Sequence, residues 1–281
     1  MRPHTTTNTA SRTNIRAIAT DMDGTFLGAD GIPSQANCDA VLAAADLGVP
    51  TIFATGRPAR WLQPLDLVRA AYPAAITSNG AMVIDLARDE ILHVFPLDTA
   101  VTADVIHDVR SALPEARFAV EYVMGWGREQ GYPPHWHQDA DIILPEAEDL
   151  LSHGTVVKLL IRCELPTSEL MARVAPAISD RLTVTFSVDS DFGFLEVSPP
   201  GITKASTLSV VLGEMGISPA DTAGFGDMPN DLAMLDLVGH PFVMDNAHPM
   251  LKQRGYPVCG HHADSAFATT VADLLGLSVA R

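Results

Sequence analysis

Two aspartates stand two positions apart directly after an apolar run near the start of the chain. The segment IRAIATDMDGTFL, residues 15–27, changes abruptly from Ile and Ala to DMDGT at 21–25. Such a run followed by turn residues indicates a buried strand, whose end presents Asp21 and Asp23. Burying unpaired charge is costly, so the pair favours a bound cation over a packing role. The structural alternative is a strand that ends in an ordinary Asx turn with Gly.

Polar groups also follow other predicted strands or begin a predicted helix. They are Thr55-Gly56-Arg57 after the second strand, Lys204 at the start of a helix, and Gly226-Asp227-Met228-Pro229-Asn230-Asp231 after a later strand. Clustered carboxylates offer the oxygen ligands that suit Mg²⁺. A Thr hydroxyl with the N–H groups that follow it can hold phosphate oxygens, and a Lys ammonium adds a point charge. Alone, the Thr-Gly-Arg turn and Lys204 are equally compatible with structural roles, so the hypothesis depends on the combination.

The elements that must position these groups alternate along the chain. Strand-like segments lie at 15–20, 49–57, 74–81, 221–227, 240–246 and 256–260, helical ones at 34–47, 58–71, 204–215, 230–237, 249–254 and 264–276, and a hairpin at 82–95. Strands separated by helices indicate parallel βαβ units. The sequence therefore predicts an α/β fold with a doubly wound parallel sheet, in which ligands bind at the carboxyl ends of strands.

The middle third of the chain has a different pattern. Aromatic and His residues gather at 120–138, and strand-like runs at 117–124, 155–162 and 182–188 are mixed with helical stretches near 99–111 and 167–179. This pattern predicts an inserted α+β module. The predicted division is a disordered tail at 1–14, a core at 15–85 and 196–281, and an inserted lid at 86–195.

Composition narrows the function class. The net charge of −16, from 34 acidic and 18 basic residues, argues against a nucleic-acid partner. Three Cys without a CxxC spacing favour a reducing cytoplasm. The polar segment 1–14 lacks the apolar region of a signal peptide, and no apolar run approaches the ~18 residues of a membrane span. We expect a cytoplasmic protein with a small-molecule partner, and no oligomeric state is predicted.

The motifs together resemble those of the haloacid dehalogenase-like superfamily, in particular the Cof-type branch of the subfamily IIB phosphatases. The resemblance covers nearly the whole chain from about residue 15, and it rests on DMDGT at 21–25, ATGR at 54–57, GITKAS at 201–206, GDMPNDLAML at 226–235, SNGA at 78–81 and DNAHPMLK at 245–252. It implies a Rossmann-like core, a large α/β cap between the second and third motifs, and Mg²⁺-dependent phosphoryl transfer through an aspartyl-phosphate. It also implies that the core at 15–85 and 196–281 is catalytic and that the lid at 86–195 is a cap that determines substrate specificity.

The resemblance also implies roles for individual residues. Asp21 is similar to the nucleophile of these enzymes, and Asp23 to their general acid/base, whose backbone carbonyl would also bind the metal. Thr55 with Gly56, and Lys204, resemble the phosphate-binding groups. With these roles, Mg²⁺ and Lys204 would offset the repulsion between a carboxylate nucleophile and a phosphate dianion.

The fourth motif supplies the remaining implied roles. Asp227 resembles a metal ligand, and Asp231 a ligand that binds directly or through water. Asn230 either contacts phosphate or orients the motif lysine. Two positions depart from the usual pattern: Ala205 stands where relatives often have Gly, and Asp245 places an additional acid before an Asn-Ala pair.

Three functions follow in order of preference. The first is a phosphatase acting on a sugar phosphate or a phosphorylated cofactor. The second is a phosphotransferase or phosphomutase of the same architecture, and the third is a catalytically idle binding module, against which the complete motifs argue. A dehalogenase is disfavoured, because a halide leaving group does not need the proton that Asp23 would supply.

Residues of the predicted cap leave several questions open. Candidates for substrate contact are Glu121, Tyr122, Trp126, Arg128, His135 and His137, although a plain cap surface is the simpler interpretation of each. His135 and His137 with Asp139 would give an incomplete zinc site. Lys158 is either an edge-strand residue or a substrate contact, and His261-His262 is expected to be a solvated loop.

Overall fold

A computed structural model describes residues 14–71, 74–133 and 140–277. Of the predicted tail at 1–14, only Asn14 lies within these residues. The strands in chain order are β1 (Ala17–Thr20), β2 (Thr51–Ala54), β3 (Ala74–Thr77), β4 (Met82–Asp85), β5 (Glu90–Val94), β6 (Arg117–Tyr122), β7 (Trp126–Glu129), β8 (Ile142–Leu144), β9 (Val156–Cys163), β10 (Thr183–Thr185), β11 (Gly193–Ser198), β12 (Thr222–Gly226) and β13 (His240–Val243).

Helices connect most of these strands. The α-helices are α1 (Gln35–Asp46), α2 (Thr99–Ala112), α3 (Ala147–Leu150), α4 (Thr167–Ile178), α5 (Lys204–Glu214), α6 (Leu232–Leu237), α7 (Pro249–Lys252) and α8 (Ala266–Leu275). Short 3₁₀ helices lie at Ala59–Trp61, Gln63–Ala71, Ser78–Gly80, Pro219–Asp221, Pro229–Asp231 and His262–Asp264.

The first sheet has the strand order β13-β12-β1-β2-β3-β4-β5 and is called the core sheet below. It is parallel from β13 to β3, and β4 and β5 add an antiparallel hairpin. Within β1, Ile18 packs in the apolar cluster that includes α1 and α8, whereas Ala17 and Ala19 pack in the cluster that includes α5 and α6. Helices therefore cover both faces, as the period-two alternation of strand side chains requires, and the predicted doubly wound α/β core is confirmed.

The second sheet has the strand order β10-β11-β9-β6-β7-β8 and is called the cap sheet below. Its pairs are antiparallel except β7 with β8. One face packs against α2 and α4 through residues such as Val105, Leu159 and Val174. The opposite face of the central strand β9 carries Lys158 and Leu160, which are also buried.

Both sheets extend slightly beyond the predicted division at 85/86 and 195/196. The strand β5 belongs to the core sheet, and β11 runs to Ser198 in the cap sheet. The hairpin predicted at 82–95 is present as β4 and β5. The division into a core and a specificity-determining cap stays a prediction.

One predicted element differs in detail and another was wrong. The segment 58–71 is helical, but it forms two 3₁₀ helices instead of one continuous helix, because Pro64 has no N–H and clashes with the preceding turn of an α-helix. The segment 256–260 forms a single bridge, Val243 with Val258, instead of a strand. Pro257 cannot donate to a strand ladder, which explains this difference.

Candidate active site

Three carboxylates converge where β1 and β12 end. Asp21 follows β1, and its backbone N–H donates to the carbonyl of Phe225 at 2.9 Å, which ties the two strand ends together. Asp227 follows β12, and Asp231 lies one turn later. One carboxylate oxygen from each aspartate lies within 4.8 Å of the others, and all three residues are buried. The structure thus brings together three of the residues predicted from separate motifs.

Lys204 joins two of these carboxylates. Its ammonium donates to Asp21 Oδ1 at 2.6 Å and to Asp231 Oδ1 at 2.7 Å, and only 1% of the residue is exposed. Lys204 is the first residue of α5, whose start is held by reciprocal bonds between Thr203 and Ser206. This capping box fixes the first turn of α5, and with it the backbone position of Lys204.

Burial and mutual repulsion shift the pKa values of this cluster. Burial raises the pKa of Asp21 well above its usual value, although Lys204 opposes the shift. Burial and the charge of Asp231 raise the pKa of Asp227 to about 7. Burial alone would lower the pKa of Lys204, but the two carboxylates that it contacts raise it. Three acids thus face one ammonium, and the excess negative charge favours a further cation.

Neighbouring residues orient Asp227. Thr25 Oγ1 donates to Asp227 Oδ1 at 3.1 Å, and Asn246 Nδ2 lies 3.3 Å from Asp227 Oδ2 while also donating to the carbonyl of Gly24 at 2.8 Å. A Cβ on Gly24 would lie 2.3 Å from Asp227 Oδ2, and its φ of +72° is one that glycine adopts freely. Asn246 had no assigned role in the sequence, although its DNAH segment was among the similar stretches. Its neighbour Asp245 is exposed and lies 3.6 Å from Lys252.

Asp23 is placed differently from the other aspartates. More than half of its side chain is exposed, and both of its oxygens accept from Arg57, at 2.8 and 2.6 Å. The backbone N–H of Arg57 in turn donates to Thr55 Oγ1 at 3.0 Å. Asp23 therefore faces the cavity described below, and Arg57 links it to the segment that begins with Thr55.

Asn230 is fixed by a residue that the sequence did not single out. Its Nδ2 donates to Asn79 Oδ1 at 3.0 Å, and both residues are buried. Asn79 belongs to the SNGA segment and has a φ of 58°, a conformation that Asn tolerates better than most residues. The similarity of SNGA to family sequences was the available signal for this contact.

A cavity of about 500 Å³ separates these strand ends from the cap sheet. Its core side is lined by Asp21, Asp23, Gly56, Arg57, Pro58, Arg60, Trp61, Met228 and Asn230, and its cap side by Glu121, Trp126, Tyr132, Lys158, Leu160, Ser187, Val188, Phe194 and Glu196. The site is therefore open to a molecule that contacts both sheets.

Two ion pairs line this cavity. Arg60 donates to both oxygens of Glu121, with Nη2 at 3.0 Å from Oε1, and its guanidinium lies 4.9 Å from the ring centre of Trp61. Lys158 donates to Glu196 Oε1 at 2.7 Å. Since β9 lies between β6 and β11, Lys158 is on an interior strand, and the edge-strand alternative was wrong.

The other cap candidates separate into three groups. Glu121 and Trp126 line the cavity. Tyr122 packs in the apolar cluster of the cap and donates to the carbonyl of Leu150 at 2.8 Å, and Arg128 is half-buried beside the carbonyl of Tyr132.

The remaining His candidates lie elsewhere. His135, His137 and Asp139 lie outside the described residues. His262 is half-buried, and its Nδ1 is 2.8 Å from the carbonyl of Leu27. His261 is half-buried as well, and His262 begins a 3₁₀ helix, so the expectation of a solvated loop at His261-His262 was wrong.

The buried carboxylate cluster fits a small divalent cation. Asp21, Asp227 and Asp231 supply hard oxygen ligands, and Thr25 and Asn246 orient Asp227 as supporting residues orient metal ligands. The pKa of Asp227, raised by burial and a neighbouring charge, is the electrostatic signature of a site that lacks positive charge.

Comparison with known proteins gives the family. The family model described as haloacid dehalogenase-like hydrolase matches residues 18–271. The chain belongs to this family. The resemblance predicted from the motifs is thus confirmed.

Individual relatives agree with this assignment. The chain is 28% identical over 257 residues to a protein named HMP-PP phosphatase from Enterobacter sp. (strain 638), covering 89% of this chain and 92% of the relative. It is 29% identical over 259 residues to a protein of the same name from Cronobacter sakazakii, covering 90% and 93%.

Solved structures show the same fold. A protein of Streptococcus mutans UA159 superimposes with a TM-score of 0.80 at 21% identity, covering 93% of this chain and 99% of the other. A phosphatase of the haloalkanoate superfamily from Bacteroides thetaiotaomicron gives 0.78 at 20% identity, covering 94% and 97%. Among the described residues of this hydrolase, no helix is long and apolar enough to cross a bilayer.

Proposed function

We propose that this hydrolase is a Mg²⁺-dependent phosphatase that forms an aspartyl-phosphate on Asp21. The predicted enzyme class, a phosphoric monoester hydrolase acting on a small phosphorylated metabolite, is confirmed by the family and by the phosphatase names of its relatives. The residue roles are our proposal. The observation that carries them is Lys204, which lies within hydrogen-bond distance of Asp21 and Asp231 at one side of the cavity.

Asp21, Asp227 and Asp231 would hold Mg²⁺, together with the backbone carbonyl of Asp23. When bound, the ion supplies positive charge that offsets repulsion between the carboxylates and a phosphate dianion. Lys204 contributes the same kind of stabilisation from the protein itself, as a fixed ammonium in a buried site.

The chemistry divides into two displacements at phosphorus. In the first, an Asp21 oxygen bonds to phosphorus, the bond to the leaving-group oxygen breaks, and Asp23 gives that oxygen a proton. In the second, Asp23 takes a proton from water as the water oxygen bonds to phosphorus, and Asp21 is released with inorganic phosphate. Asp23 is placed for this role because it lines the cavity and more than half of its side chain is exposed, and it would release Arg57 when it carries the proton.

Thr55, Gly56 and Asn230 would contact the phosphate oxygens. Gly56 and Asn230 line the cavity beside Asp21. Thr55 follows β2 directly, at the same edge of the core sheet as the carboxylates. A hydroxyl and backbone N–H groups at such a strand end are suited to bind an anion.

The leaving group of the substrate would occupy the cap side of the cavity. Three aromatic rings line that side, those of Trp126, Tyr132 and Phe194, and Trp61 adds a fourth ring from the core side. Flat rings bind flat or apolar ligand surfaces through stacking and area burial. This lining favours a phosphorylated cofactor with a ring system over a sugar phosphate, the two substrate classes that the sequence left open.

A screen of phosphorylated metabolites tests the proposal. Purified protein with Mg²⁺ is incubated with each compound and with a chromogenic phosphate ester, and released phosphate is measured. We expect turnover that the Asp21→Asn variant lacks. Failure of the wild-type protein to release phosphate from any ester would contradict the phosphatase and favour an idle binding module.

Product analysis separates hydrolysis from transfer. A phosphatase releases one phosphate for each substrate consumed, whereas a phosphotransferase or phosphomutase returns a phosphorylated sugar. We expect free phosphate equal to substrate lost.

We also propose that the protein is located in the cytoplasm and that its partner is a small phosphorylated molecule.

A further inference from the structure

A lysine of the cap sheet reaches the backbone of the phosphate-binding segment. Lys158 lies in the middle of β9, and 3% of its side chain is exposed. Its ammonium donates to the carbonyl of Gly56 at 2.6 Å and to Glu196 Oε1 at 2.7 Å. Gly56 lies between Thr55 and Arg57, so a cap residue directly contacts the loop that follows β2.

The peptide between Gly56 and Arg57 is held at both of its polar groups. Its carbonyl accepts from Lys158, and its N–H donates to Thr55 Oγ1 at 3.0 Å. A hydroxyl has one proton to donate and two lone pairs that accept. Because Thr55 Oγ1 accepts from this N–H, its own proton points elsewhere and can be donated to a phosphate oxygen.

The acid beside Lys158 keeps the ammonium in place. Only 2% of the Glu196 side chain is exposed, and Glu196 Oε2 accepts from Ser187 Oγ at 2.6 Å. A Cβ on Gly56 would lie 3.2 Å from Glu196 Oε1, so glycine lets the loop approach this pair closely. Burial alone would raise the pKa of Glu196, but the charge of Lys158 and the hydrogen bonds that Glu196 accepts lower it, which favours the ionised carboxylate.

Stability alone does not account for this pair. Replacing a buried ion pair by apolar residues of similar volume is often neutral or stabilising. The adjacent position on the same face of β9 is Leu160, which is also buried, so an apolar residue suits this face. The contact with Gly56 is what an apolar residue could not provide.

We propose that Lys158 is a positioning residue, which orients the Gly56–Arg57 peptide so that Thr55 donates to the phosphate. The proposal rests on the proposed function, because it takes Thr55 as a phosphate-binding group. If the proposal is correct, the affinity for phosphate depends on Lys158, a cap residue that contacts the loop through the backbone carbonyl of Gly56.

Titration of inorganic phosphate into the full-length protein with Mg²⁺, followed by calorimetry, tests this inference without turnover. We expect the dissociation constant for phosphate to rise about tenfold in Lys158→Met, because a charge-assisted hydrogen bond is lost. The double variant Lys158→Met/Glu196→Met leaves no unpaired charge and should show the same rise. Glu196→Gln keeps the lysine and should change the constant by less than about threefold.

Arg110→Met is the matched control. Arg110 contacts the buried Glu129 at 2.8 Å in the cap, away from the cavity. Its loss also leaves a buried carboxylate without its cation, and we expect unchanged phosphate affinity. A rise in this control as large as in Lys158→Met would assign the effect to general cap damage and overturn the proposal.

Two further results would overturn it. One is a phosphate affinity in the folded double variant that matches the wild type, and the other is no measurable phosphate binding by the wild type. Lack of ester hydrolysis by a wild-type protein that still binds phosphate would refute the phosphatase alone. The two proposals therefore fail by different results.

Discussion

The carboxyl edge of the core sheet and the inner face of the cap sheet form opposite walls of one cavity, but they present their side chains differently. On the core side, Asp21, Thr55 and Asp227 each follow the last residue of a parallel strand. On the cap side, Glu121 and Lys158 lie within antiparallel strands and are register partners. Strand ends are marked by turn residues in the sequence, whereas positions within a strand are not.

This difference suggests a division of labour. The core edge holds buried carboxylates and one ammonium, which act on the phosphoryl group in our proposal. The cap face holds aromatic rings and paired charges, which would contact the leaving group. Substitutions of the buried carboxylates and the ammonium at the core edge should then remove turnover for every substrate, whereas those of the cap face and of residues paired with it should discriminate between substrates.

The largest effect should come from Asp21→Asn. Since this change removes the attacking carboxylate, we expect kcat to fall by at least ~10³-fold with every substrate, measured as phosphate release. Circular dichroism should show an intact fold, because the change also relieves repulsion among three buried acids. Phosphate release by this variant near the wild-type rate would show that Asp21 is not the nucleophile.

Removal of divalent ions should come next. Exhaustive chelation with EDTA should lower activity by ~10²-fold or more, since a bound cation contributes several kcal/mol to transition-state stabilisation. Added Mg²⁺ should restore it. Full activity in the chelated protein would show that the cluster of Asp21, Asp227 and Asp231 acts without a metal.

Gly24→Ala should weaken the same cluster without removing a ligand. A methyl group there would lie 2.3 Å from Asp227 Oδ2, so we expect a roughly tenfold or greater rise in the Mg²⁺ concentration needed for half-maximal activity. Gly48→Ala is the control, because Gly48 has a φ of +76° but open space around it. It should lose about 1–2 kcal/mol of stability from the backbone alone and keep its Mg²⁺ dependence. Equal Mg²⁺ dependence in the two variants would contradict the proposed effect of the contact between the added methyl group and Asp227.

Arg60→Met should affect one substrate class more than another. Arg60 lies on the core side of the cavity, but it pairs with Glu121 of the cap sheet, and its guanidinium lies beside two tryptophan rings. We expect KM for the preferred metabolite to rise about tenfold, with kcat changed less than about twofold, because the contact is remote from phosphorus. A small chromogenic ester should be affected less. An equal rise in KM for both substrates would contradict the proposed difference in role between the core edge and the cap face.

The smallest effect should appear in acid. The Glu196 pKa is lowered in the folded protein by Lys158, so this group stabilises the fold above its unfolded pKa and the contribution is lost as pH falls through its folded pKa. We expect the unfolding free energy of the wild type to drop more than that of Glu196→Gln between neutral pH and values below 4.5, measured by urea titration. Parallel pH profiles would show that the pair contributes no pH-dependent stability.

The sequence was informative where a motif coincides with a strand end. DMDGT, ATGR and the Gly226-Asp227 segment each follow an apolar run, so both the strand and its polar end could be predicted from residue type and period. The packing of α5 that brings Lys204 to Asp21 was implied by the family resemblance and is seen in the structure at 2.6 Å. Helix boundaries at 58–71 were less predictable, because the 3₁₀ geometry depends on where Pro64 interrupts the backbone bonds.

The cap was less predictable because its contacts depend on register. Tyr122 and Glu121 are adjacent in sequence, yet one packs in the apolar cluster and the other lines the cavity, since successive residues of a strand face opposite sides. Which side faces the core sheet cannot be decided until the strand pairings and the placement of the cap are known.

By itself, the sequence determined the family, the alternation of strands and helices, and the residue types that meet at the carboxyl edge, because local periodicity and turn chemistry act over a few residues. The tertiary structure alone decided that Lys158 contacts Gly56, that Asn246 and Asn79 support the motif residues, and that aromatic rings from the core side and the cap side share one cavity. These contacts join residues up to 222 positions apart. Their geometry follows from sheet register and packing, and local sequence patterns do not predict either.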